Sequence, residues 1–496
     1  MGAEDYAGGA TVTILLVNPP RFGLIQAGIP RVLSQGEFRF PPLGLLYLAA
    51  SIEQEKLADV LVLDAQWGEQ SWEDIGNYAS SLSADVVGVS AITTNLIDAW
   101  EVLKAVKKYR PEAVTVMGGS HVALFPEESA RLPGVDYVLT GEAERTFAAF
   151  VKGMIGNGKG FDSIPGLHWI DGNGDYHNGG NGEIIEELDL LPTPDRSKLD
   201  VTRYRTLTSR SPMSTSILSS RGCPYRCTFC DVPRTKVRYR SPASFADEME
   251  SCREQGISEF HVFDDTFNQS DDRVIAICQE LMRRKLDVTW SLRGRVDHLT
   301  DNTAWHLRQA GCVRLHLGIE SAVPRILELM EKRIDPGQVI GAVATAKRHG
   351  LQVHGFFLIG FPTETLEDIS ETVRFARKLD LDYAQFSVTT LFPGTAIYDW
   401  AIREGVIDGD VWRDFASSPD TDFAPPVWDK DITAKELYRI MQRSYRSYYL
   451  RPGYVMRSLK SLRTPRELGS RIKGMSALLY PGFGGGFRWR ERAKSS

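Results

Sequence analysis

Short apolar runs alternate with longer mixed segments over the first part of the chain. The runs are rich in Val, Leu and Ile: Thr11–Val17, Val60–Leu63, Asp85–Ser90, Ala113–Met117 and Asp136–Leu139. Segments of helical length, such as Leu96–Tyr109, separate them. Nearly continuous apolar strands with helices between them are typical of a parallel sheet that is covered on both faces. The pattern therefore predicts an α/β fold that begins with a flavodoxin-like, doubly wound parallel sheet, which we assign to residues 11–155.

The alternation stops after this region. Gly156–Gly182 is rich in Gly, Asn and Asp, which predicts a small ribbon or a loop excursion. Leu188–Asp200 carries prolines and charged residues, as linkers do. We therefore predict that residues 156–210 link two domains.

A second alternating series follows the linker. Its six predicted strands are Ser216–Ser220, Glu259–Phe263, Val288–Arg293, Val313–Gly318, Val353–Ile359 and Ala384–Thr390. Six β/α units predict a partial (β/α)6 barrel of the TIM type over residues 211–400. Ser244 and Asp247 have the spacing of a capping box, which predicts that a helix starts there. Residues 401–496 are predicted to form a helical, basic C-terminal region.

Length and composition place the chain among globular proteins of two or three domains. The 496 residues are 42% hydrophobic and 25% charged, and the mean hydropathy is −0.23. No apolar run approaches the roughly 18–20 residues that a membrane span needs. Met1–Gly9 is acidic and glycine-rich and lacks the features of a secretory signal. We expect a cytoplasmic protein that does not bind nucleic acid.

Positive charge is concentrated at the C-terminus. Gln442–Ser496 holds thirteen Lys and Arg against two Glu, a balance of +11 in a chain whose net charge is −6. Such asymmetry indicates an anionic partner, or simply a solvated basic segment packed on an acidic body. Aromatic and apolar residues lie among the cations, at Tyr445–Tyr454, Val455–Leu462 and Leu478–Tyr480. This mixture suggests peripheral contact with a membrane.

Three of the six cysteines form a tight cluster. Cys223, Cys227 and Cys230 follow a predicted strand with C-x3-C-x2-C spacing, whereas Cys252, Cys278 and Cys312 are scattered and are interpreted as core thiols. Three thiolates can ligate three irons of a 4Fe–4S cubane and leave the fourth iron open for a reactant. Zinc normally takes four ligands in paired groups, and the sequence has no second pair and no nearby His. An iron–sulfur cluster is therefore the favoured interpretation.

These residues resemble the signature of the radical S-adenosylmethionine (SAM) superfamily. The resemblance places Phe229 beside the adenine of SAM. It assigns Asp264 and Asp265, within Phe263–Phe267, to the binding of the methionine amino group. The Gly-Gly-Glu form of that motif is absent here. Trp290–Asp297 with Arg295, and His316–Ser321 with Glu320 and Ser321, resemble further SAM-contacting segments. Gly355–Thr365 and Phe392–Thr395 complete the similarity. The resemblance implies that one electron from the cluster cleaves SAM to methionine and a 5′-deoxyadenosyl radical.

Polar or small residues follow the strands of the first domain, at the edge where doubly wound sheets bind ligands. The candidate ligand contacts are Asn18, Ser90, Thr93, Gly118, Gly119, His121, Gly141 and Glu142. No G-x-G-x-x-G follows the first strand, which disfavours a dinucleotide. With Phe40–Tyr47 and Pro126–Glu128, this layout resembles the cobalamin-binding domain of cobalamin-dependent radical SAM enzymes. The D-x-H-x-x-G motif of domains that supply a histidine to cobalt is absent, so His121 is predicted to be a contact and not the cobalt ligand.

The resemblance implies three cofactors: a 4Fe–4S cluster, SAM and cobalamin. The leading hypothesis is methylation of an unactivated carbon, on a small molecule or on a lipid such as a hopanoid, with a porphyrin also considered. An oxidative cyclase or rearrangement enzyme of the tetrapyrrole-cyclase type shares the same cofactors and is the alternative. The strand motifs disfavour a non-enzymatic cobalamin or redox sensor. An electron donor such as flavodoxin or ferredoxin is expected, and no catalytic side chain is assigned.

Overall fold

The computed structural model describes residues 12–28, 39–156, 160–204, 209, 211–232, 235–460, 469 and 478. Its described residues divide into two compact units. The first takes its residues from Met1–Ile25, Pro41–Asp200 and Asp410–Phe423. The second takes them from Gln26–Phe40, Val201–Gly409 and Ala424–Ser496. The units are thus interleaved along the chain, whereas the sequence predicts four successive ranges.

Helices alternate with the strands of both units. In chain order they are α1 (Leu43–Gln54), α2 (Trp72–Ser81), α3 (Leu96–Tyr109), α4 (Ser120–Leu124), α5 (Pro126–Ala130), α6 (Ala143–Ile155), α7 (Pro242–Glu254), α8 (Asp271–Arg283), α9 (Asp301–Gln309), α10 (Pro324–Leu329), α11 (Pro336–Arg348), α12 (Leu366–Lys378), α13 (Ala396–Arg403), α14 (Val411–Ser417), α15 (Ala434–Tyr449) and α16 (Pro452–Lys460). No helix among the described residues is long and apolar enough to span a membrane.

The first unit is built on a seven-stranded sheet. Its strands are β1 (Val12–Asn18), β2 (Ala58–Asp64), β3 (Val86–Ser90), β4 (Val114–Gly118), β5 (Tyr137–Leu139), β6 (Leu167–Ile170) and β7 (Tyr176–Asn178), in the order β2-β1-β3-β4-β5-β6-β7. The first five are parallel, and their order is that of flavodoxin-like folds. This confirms the predicted fold class and places the switch point between β1 and β3.

The ribbon predicted within Gly156–Gly182 is present as β6 and β7. It pairs antiparallel with β5 and so extends the first sheet instead of linking two domains. The antiparallel pairing covers an edge that the parallel part would leave open. The described residues after it carry short 3-10 turns at Leu188–Leu190, Arg196–Lys198 and Val201–Arg203.

The second unit contains an open, six-stranded parallel sheet. Its strands are β8 (Ser214–Ile217), β11 (Glu259–Val262), β12 (Thr289–Gly294), β13 (Cys312–Glu320), β14 (Gln352–Ile359) and β15 (Tyr383–Val388), in the order β15-β14-β13-β12-β11-β8. A separate ribbon pairs β9 (Ser220–Arg221) with β10 (Arg238–Tyr239). Each strand pairs with the next one in sequence, as in the partial barrel that the sequence predicts, and the sheet does not close.

The two faces of this sheet differ in what covers them. Along β14 the odd-numbered residues Val353, Phe357 and Ile359 are buried, whereas the even-numbered positions are half-buried. The Phe386 ring of β15 lies on the buried face, 5.6 Å from Tyr445 of α15. Because side chains alternate along a strand, the even-numbered positions point to the opposite face, which we call the inner face.

The aromatic residues of Tyr445–Tyr454 are committed to this sheet. The Tyr445 hydroxyl accepts a hydrogen bond from the Phe386 amide, and the Tyr448 hydroxyl donates to the Leu381 carbonyl. Tyr449 and Tyr454 bond in the same way to backbone groups of Ala384 and Asp382. The expectation that these aromatic side chains enter a lipid headgroup layer is therefore wrong. Of the other proposed interfacial residues, 461–462, 479 and 480 lie outside the described residues.

Candidate active site

The clustered cysteines lie in the loop that follows β8 and the short strand β9, beyond the carboxyl end of β8 in the second sheet. All three thiols are free and half-buried, whereas Cys252, Cys278 and Cys312 are buried, as predicted for core thiols. Parallel α/β folds position their reactive groups at this end of the strands because the connecting loops converge there. No three His, Cys, Asp or Glu side chains converge on a single metal-ion position among the described residues.

Backbone hydrogen bonds fix the cysteine loop in place. Thr228 donates from its amide to the Met330 carbonyl (3.1 Å) and from its hydroxyl to the Leu329 carbonyl (3.0 Å). Its own carbonyl accepts from the Ile397 amide (2.9 Å). Gly222 has φ +92°, and a Cβ there would lie 2.6 Å from Thr235 Oγ1 and 2.9 Å from the Lys236 carbonyl oxygen. A glycine is therefore required where the chain turns into the loop.

Two cations oppose the effect of burial on the thiol of Cys227. Desolvation raises the pKa of Cys227, while the charges of Lys332 and Arg295 lower it. Desolvation also raises the pKa of Cys230, to about 12. Since only thiolates ligate metal, binding must release protons from this loop, and nearby cations make that release easier.

Lys332 is the residue here that sequence analysis missed. Its buried ammonium lies 2.8 Å from Glu320 Oε1 and 5.8 Å from the centre of the Phe229 ring. Glu320 has φ +64°, and the register of β13 against β14 shifts at this point. A Cβ at Gly318 would meet Glu320 Oε1 at 2.4 Å and Lys332 Nζ at 2.7 Å, so the glycine makes room for the pair. Glu320 thus neutralises a cation beside the cysteine loop.

Arg295 is also held by protein groups. It forms a two-pronged ion pair with Asp297 (2.9 Å for both contacts) and donates to the Lys332 carbonyl (2.6 Å). Its guanidinium stacks 3.8 Å above the ring of Tyr225, which lies between Cys223 and Cys227 in the sequence. This arrangement positions the loop, so a direct contact between Arg295 and SAM remains a prediction.

The two aspartates of the acidic motif differ in their surroundings. Asp264 is fully buried and accepts hydrogen bonds from the Ser219 amide (2.7 Å) and from the hydroxyls of Ser219 (2.5 Å) and Ser220 (2.6 Å). Asp265 is exposed and accepts from the Gly222 amide (3.1 Å). Asp264 therefore has the environment of a structural carboxylate, and Asp265 is the one open to a ligand amino group.

Ser321 contacts α12. It is fully buried, lies 3.2 Å from the hydroxyl of Thr372 on α12, and accepts from the Val323 amide (3.2 Å). Hydrogen bonds within the protein thus occupy the hydroxyl that the sequence assigned to SAM.

A second overlooked group lies in the turn after β14. Glu364 is buried and accepts from the amides of Gly360 (2.6 Å) and Phe361 (3.1 Å), while its Oε1 has no partner among the described residues. Desolvation raises its pKa to about 7. The Gly355–Thr365 motif contains this residue, but only the fold shows that its carboxyl group is buried.

In the first unit, Asn18 and Ser90 flank the switch point between β1 and β3. The Asn18 amide donates to Asp64 Oδ1 (2.8 Å) and accepts from Gln66 (3.3 Å), which orients it at the end of β1. Ser90 is half-buried, and so is Thr93 in the turn after β3. Gly118 ends the neighbouring strand, and Gly119 beside it is exposed. Hydroxyls and glycines at a switch point suit a large flat ligand such as cobalamin.

His121, in α4, contacts the turn that follows β3. It is fully buried, its Nδ1 is 3.3 Å from the Thr93 hydroxyl, and its Nε2 has no partner among the described residues. Burial lowers its pKa to about 3, so the ring is neutral at physiological pH.

Gly141 and Glu142 pack against a segment that follows the ribbon. A Cβ at Gly141 would lie 2.7 Å from the Cα of Gly182, and Glu142 accepts from the Ile185 amide (2.9 Å). Both residues therefore have a structural explanation, and a contact with cobalamin remains a prediction for them.

Comparison with known proteins agrees with this architecture. The Radical SAM superfamily model matches residues 217–376, and the B12 binding domain model matches residues 32–151. An uncharacterized methyltransferase of Pyrococcus horikoshii is 34% identical over 90% of this chain and 94% of its own length. The anaerobic magnesium-protoporphyrin IX monomethyl ester cyclase of Rubrivivax gelatinosus is 26% identical over 84% of this chain and 75% of its own.

A solved structure shows the same fold. It is the radical S-adenosylmethionine methyltransferase TsrM from Kitasatospora setae with cobalamin and a [4Fe–4S] cluster bound. The TM-score is 0.64 at 22% identity, over 80% of this chain and 75% of that protein.

Proposed function

The chain belongs to the cobalamin-dependent methyltransferases of the radical SAM superfamily, and from this premise we propose that it methylates an unactivated carbon of its substrate. Such a carbon has no acidic proton and no lone pair, so polar methylation by SAM fails. The cofactors of the family are a 4Fe–4S cluster, SAM and cobalamin. When bound, the cluster supplies an electron that splits SAM, and cobalamin carries the methyl group to be transferred.

Within this proposal the second unit holds the cluster and SAM. Cys223, Cys227 and Cys230 would ligate three irons, and the cations of Lys332 and Arg295 favour the thiolate form of Cys227. Asp265 is exposed at the same edge and receives the amino group of SAM. Phe229 lies beside the adenine, with the Lys332–Glu320 pair next to it. The observation that carries this assignment is the joint location of three half-buried thiols and two cations at the carboxyl end of a parallel sheet.

The ligand assignment is tested by two triple variants. Changing Cys223, Cys227 and Cys230 to Ala should remove iron, the visible absorbance of the cluster and 5′-deoxyadenosine formation. Changing Cys252, Cys278 and Cys312 to Ser should leave iron binding intact, because those thiols lie in the core. Loss of iron in the second variant, with an unchanged circular dichroism spectrum, would contradict the assignment.

The first unit is proposed to bind cobalamin at its switch point, with Asn18, Ser90, Thr93 and Gly118 at the ligand. The buried, neutral ring of His121 lies behind Thr93 and orders that turn. We therefore expect no protein nitrogen on cobalt. Electron paramagnetic resonance of the cob(II)alamin form should show no hyperfine splitting from a protein nitrogen, and a splitting that changes when the protein is labelled with 15N would overturn this expectation.

The proposed reaction is tested by anaerobic turnover with methyl-deuterated SAM and a cell extract. A product that gains one labelled methyl group is expected. A product that lacks the label but has lost hydrogen would favour the second candidate, an oxidative cyclase. The similarity to a magnesium-protoporphyrin cyclase over most of the chain is the observation that favours that candidate.

We also propose a one-electron donor such as flavodoxin or ferredoxin, and peripheral contact of the basic C-terminus with anionic lipid. A lipid such as a hopanoid is one candidate substrate. The charge of the C-terminal residues supports the membrane contact, because thirteen cations face two Glu in Gln442–Ser496.

A further inference from the structure

A row of polar side chains crosses the inner face of the second sheet. Arg293 of β12 pairs with His316 of β13, His316 with His354 of β14, and His354 with Tyr383 of β15. Neighbouring strands lie about 4.8 Å apart, so the row extends over roughly 14 Å. The ring centres of His316 and His354 are 5.1 Å apart, and those of His354 and Tyr383 are 5.8 Å apart. The four side chains therefore form one continuous surface.

The polar groups of this row have few partners in the protein. The Arg293 side chain is exposed and stacks 4.1 Å from the centre of the Phe263 ring, but within the described part of the chain its guanidinium forms no hydrogen bond or ion pair. Among the same residues, the ring nitrogens of His316 and His354 and the hydroxyl of Tyr383 also have no hydrogen-bond partner. These polar groups are accessible to solvent, so their hydrogen-bonding capacity is open to a ligand.

The charge of the row is positive. Burial lowers the pKa of His354 to about 3 and lowers that of His316 well below its ordinary value, so both rings are neutral and each can donate one hydrogen bond. Arg293 carries a permanent positive charge. So does Arg314, which precedes His316 by two residues on β13. The negative charge of Asp265 favours the charged form of Arg293, although the two side chains form no ion pair among the described residues. An anionic ligand would form charge-assisted hydrogen bonds with this row. A hydrocarbon ligand would remove water from Arg293 without replacing the lost hydrogen bonds, which is energetically unfavourable.

We propose that this row binds an acidic group of the substrate, a carboxylate or a phosphate, through Arg293 with His316, His354 and Tyr383 donating hydrogen bonds. The inference rests on the proposed function, since it names the substrate class of the same site. Glu320, beside the cysteine loop, lies four residues beyond His316 on β13, which is about 13 Å along the strand. The acidic group thus binds deep on the inner face, and the carbon that is methylated lies on the order of 10 Å from it, toward the carboxyl ends.

The binding test uses the reconstituted holoenzyme with SAM and without reductant. Inorganic phosphate and acetate are titrated separately by calorimetry in chloride buffer, which distinguishes the two kinds of acid. We expect one of them to bind once per chain, and Arg293→Gln to weaken it roughly tenfold or more. Arg293→Lys should restore part of the affinity. Tyr383→Phe, which removes one hydroxyl, should weaken binding about threefold to tenfold even if Arg293→Gln fails to fold.

The matched control is Arg283→Gln on α8, an exposed arginine paired with Glu280, which should leave anion binding unchanged. The proposal is overturned if neither anion binds, or if both Arg293→Gln and Tyr383→Phe bind like the wild type. It is equally overturned if Arg293→Gln weakens SAM binding instead, because the arginine would then belong to the SAM site.

A product-level experiment separates this inference from the proposed function. The labelled product of the turnover reaction is passed over an anion exchanger at pH 8, and retention is expected. A labelled product in the flow-through, such as a neutral polycyclic lipid, would refute the acidic substrate and leave the methyltransferase function standing. Anion binding without any labelled product would refute the function and leave the anion site standing.

Discussion

Glu364 and Lys332 are two buried, ionisable residues near the carboxyl end of the second sheet, and each has a measurable energetic consequence. Neither stands out in the sequence, because a glutamate in a turn and a lysine after a short helix are ordinarily solvated. Burial changes this, since a charge removed from water must be paired or must shift its pKa. Lys332 is paired with Glu320, whereas Glu364 holds a raised pKa.

Glu364→Gln should alter the pH dependence of stability. The folded-state pKa of about 7 lies above the ordinary value of 4.5, so the folded chain binds more protons between these values and wild-type stability falls as pH rises. The fall amounts to on the order of 3 kcal/mol. The difference in Tm between wild type and Glu364→Gln should therefore shrink or reverse from pH 5 to pH 8. Glu367→Gln, on the exposed first turn of α12, should follow the wild type. A pH-independent difference for Glu364→Gln would contradict the raised pKa.

Lys332→Met should destabilise the second unit by about 3–5 kcal/mol, because it leaves Glu320 buried without its cation. The double variant Lys332→Met with Glu320→Gln should recover much of that loss, since no unpaired charge remains. Chemical denaturation of both variants measures the effect. Equal stability of the single and double variants would show that the pair is not coupled.

The strands were the most predictable elements. Each strand of the two parallel sheets starts and ends within two residues of its predicted apolar run, except that β8 ends three residues early. The ends of strands are less certain because the apolar run continues into buried turn residues. The capping-box prediction at Ser244 was wrong. The helix α7 begins at Pro242, with Ser241 accepting from the Ser244 amide, because a proline fits the first helical turn.

The sequence alone does not distinguish ligand contacts from structural polar residues, because a polar residue at the end of a strand bonds to a neighbour as readily as to a ligand. Asp264, Ser321, Gly141 and Glu142 all lie where the sequence predicts and all bond or pack within the protein. Their partners are distant in sequence, so only the tertiary fold identifies them.

The turn after β4 provides a test with two adjacent glycines. A Cβ at Gly119 (φ +109°) would lie 2.3 Å from the Ala91 carbonyl oxygen, whereas a Cβ at Gly118 would have its nearest neighbour at 3.7 Å. Gly119→Ala should therefore destabilise the first unit by roughly 2–4 kcal/mol, and Gly118→Ala by less than about 1 kcal/mol. Thermal unfolding measures both. If Gly118→Ala weakens cobalamin binding without a change in Tm, that glycine serves the ligand. Equal loss of Tm in the two variants would contradict the close approach of Gly119 to Ala91.

At the scale of the whole molecule, the predicted fold class is confirmed, whereas the four predicted domain ranges stay predictions. The short segment Asp410–Phe423 groups with the unit that is distant in sequence. The periodicity of apolar residues shows which face of a helix or strand is buried. It does not show with which unit a connecting segment groups. The C-terminal aromatic residues show the same limit, because their pattern suits either a lipid surface or the sheet on which Tyr445 and Tyr448 lie.

The packing of these aromatic residues determines which deletion can test membrane contact. Deletion from Arg451 would remove Tyr454 and the bond from Arg451 to the Arg377 carbonyl, and so would damage the second unit itself. Deletion of residues 461–496 spares α16 and removes eight Lys and Arg with two Glu. Each cation near an anionic surface contributes about 1 kcal/mol. Sedimentation with liposomes should therefore increase with phosphatidylserine content, decrease with salt, and disappear in the deletion.

A full-length variant with those eight cations changed to Gln should lose binding equally, because the attraction is electrostatic. Binding that persists in this variant would assign the contact to apolar side chains, and a full-length protein that stays in the supernatant at low salt would refute the membrane contact.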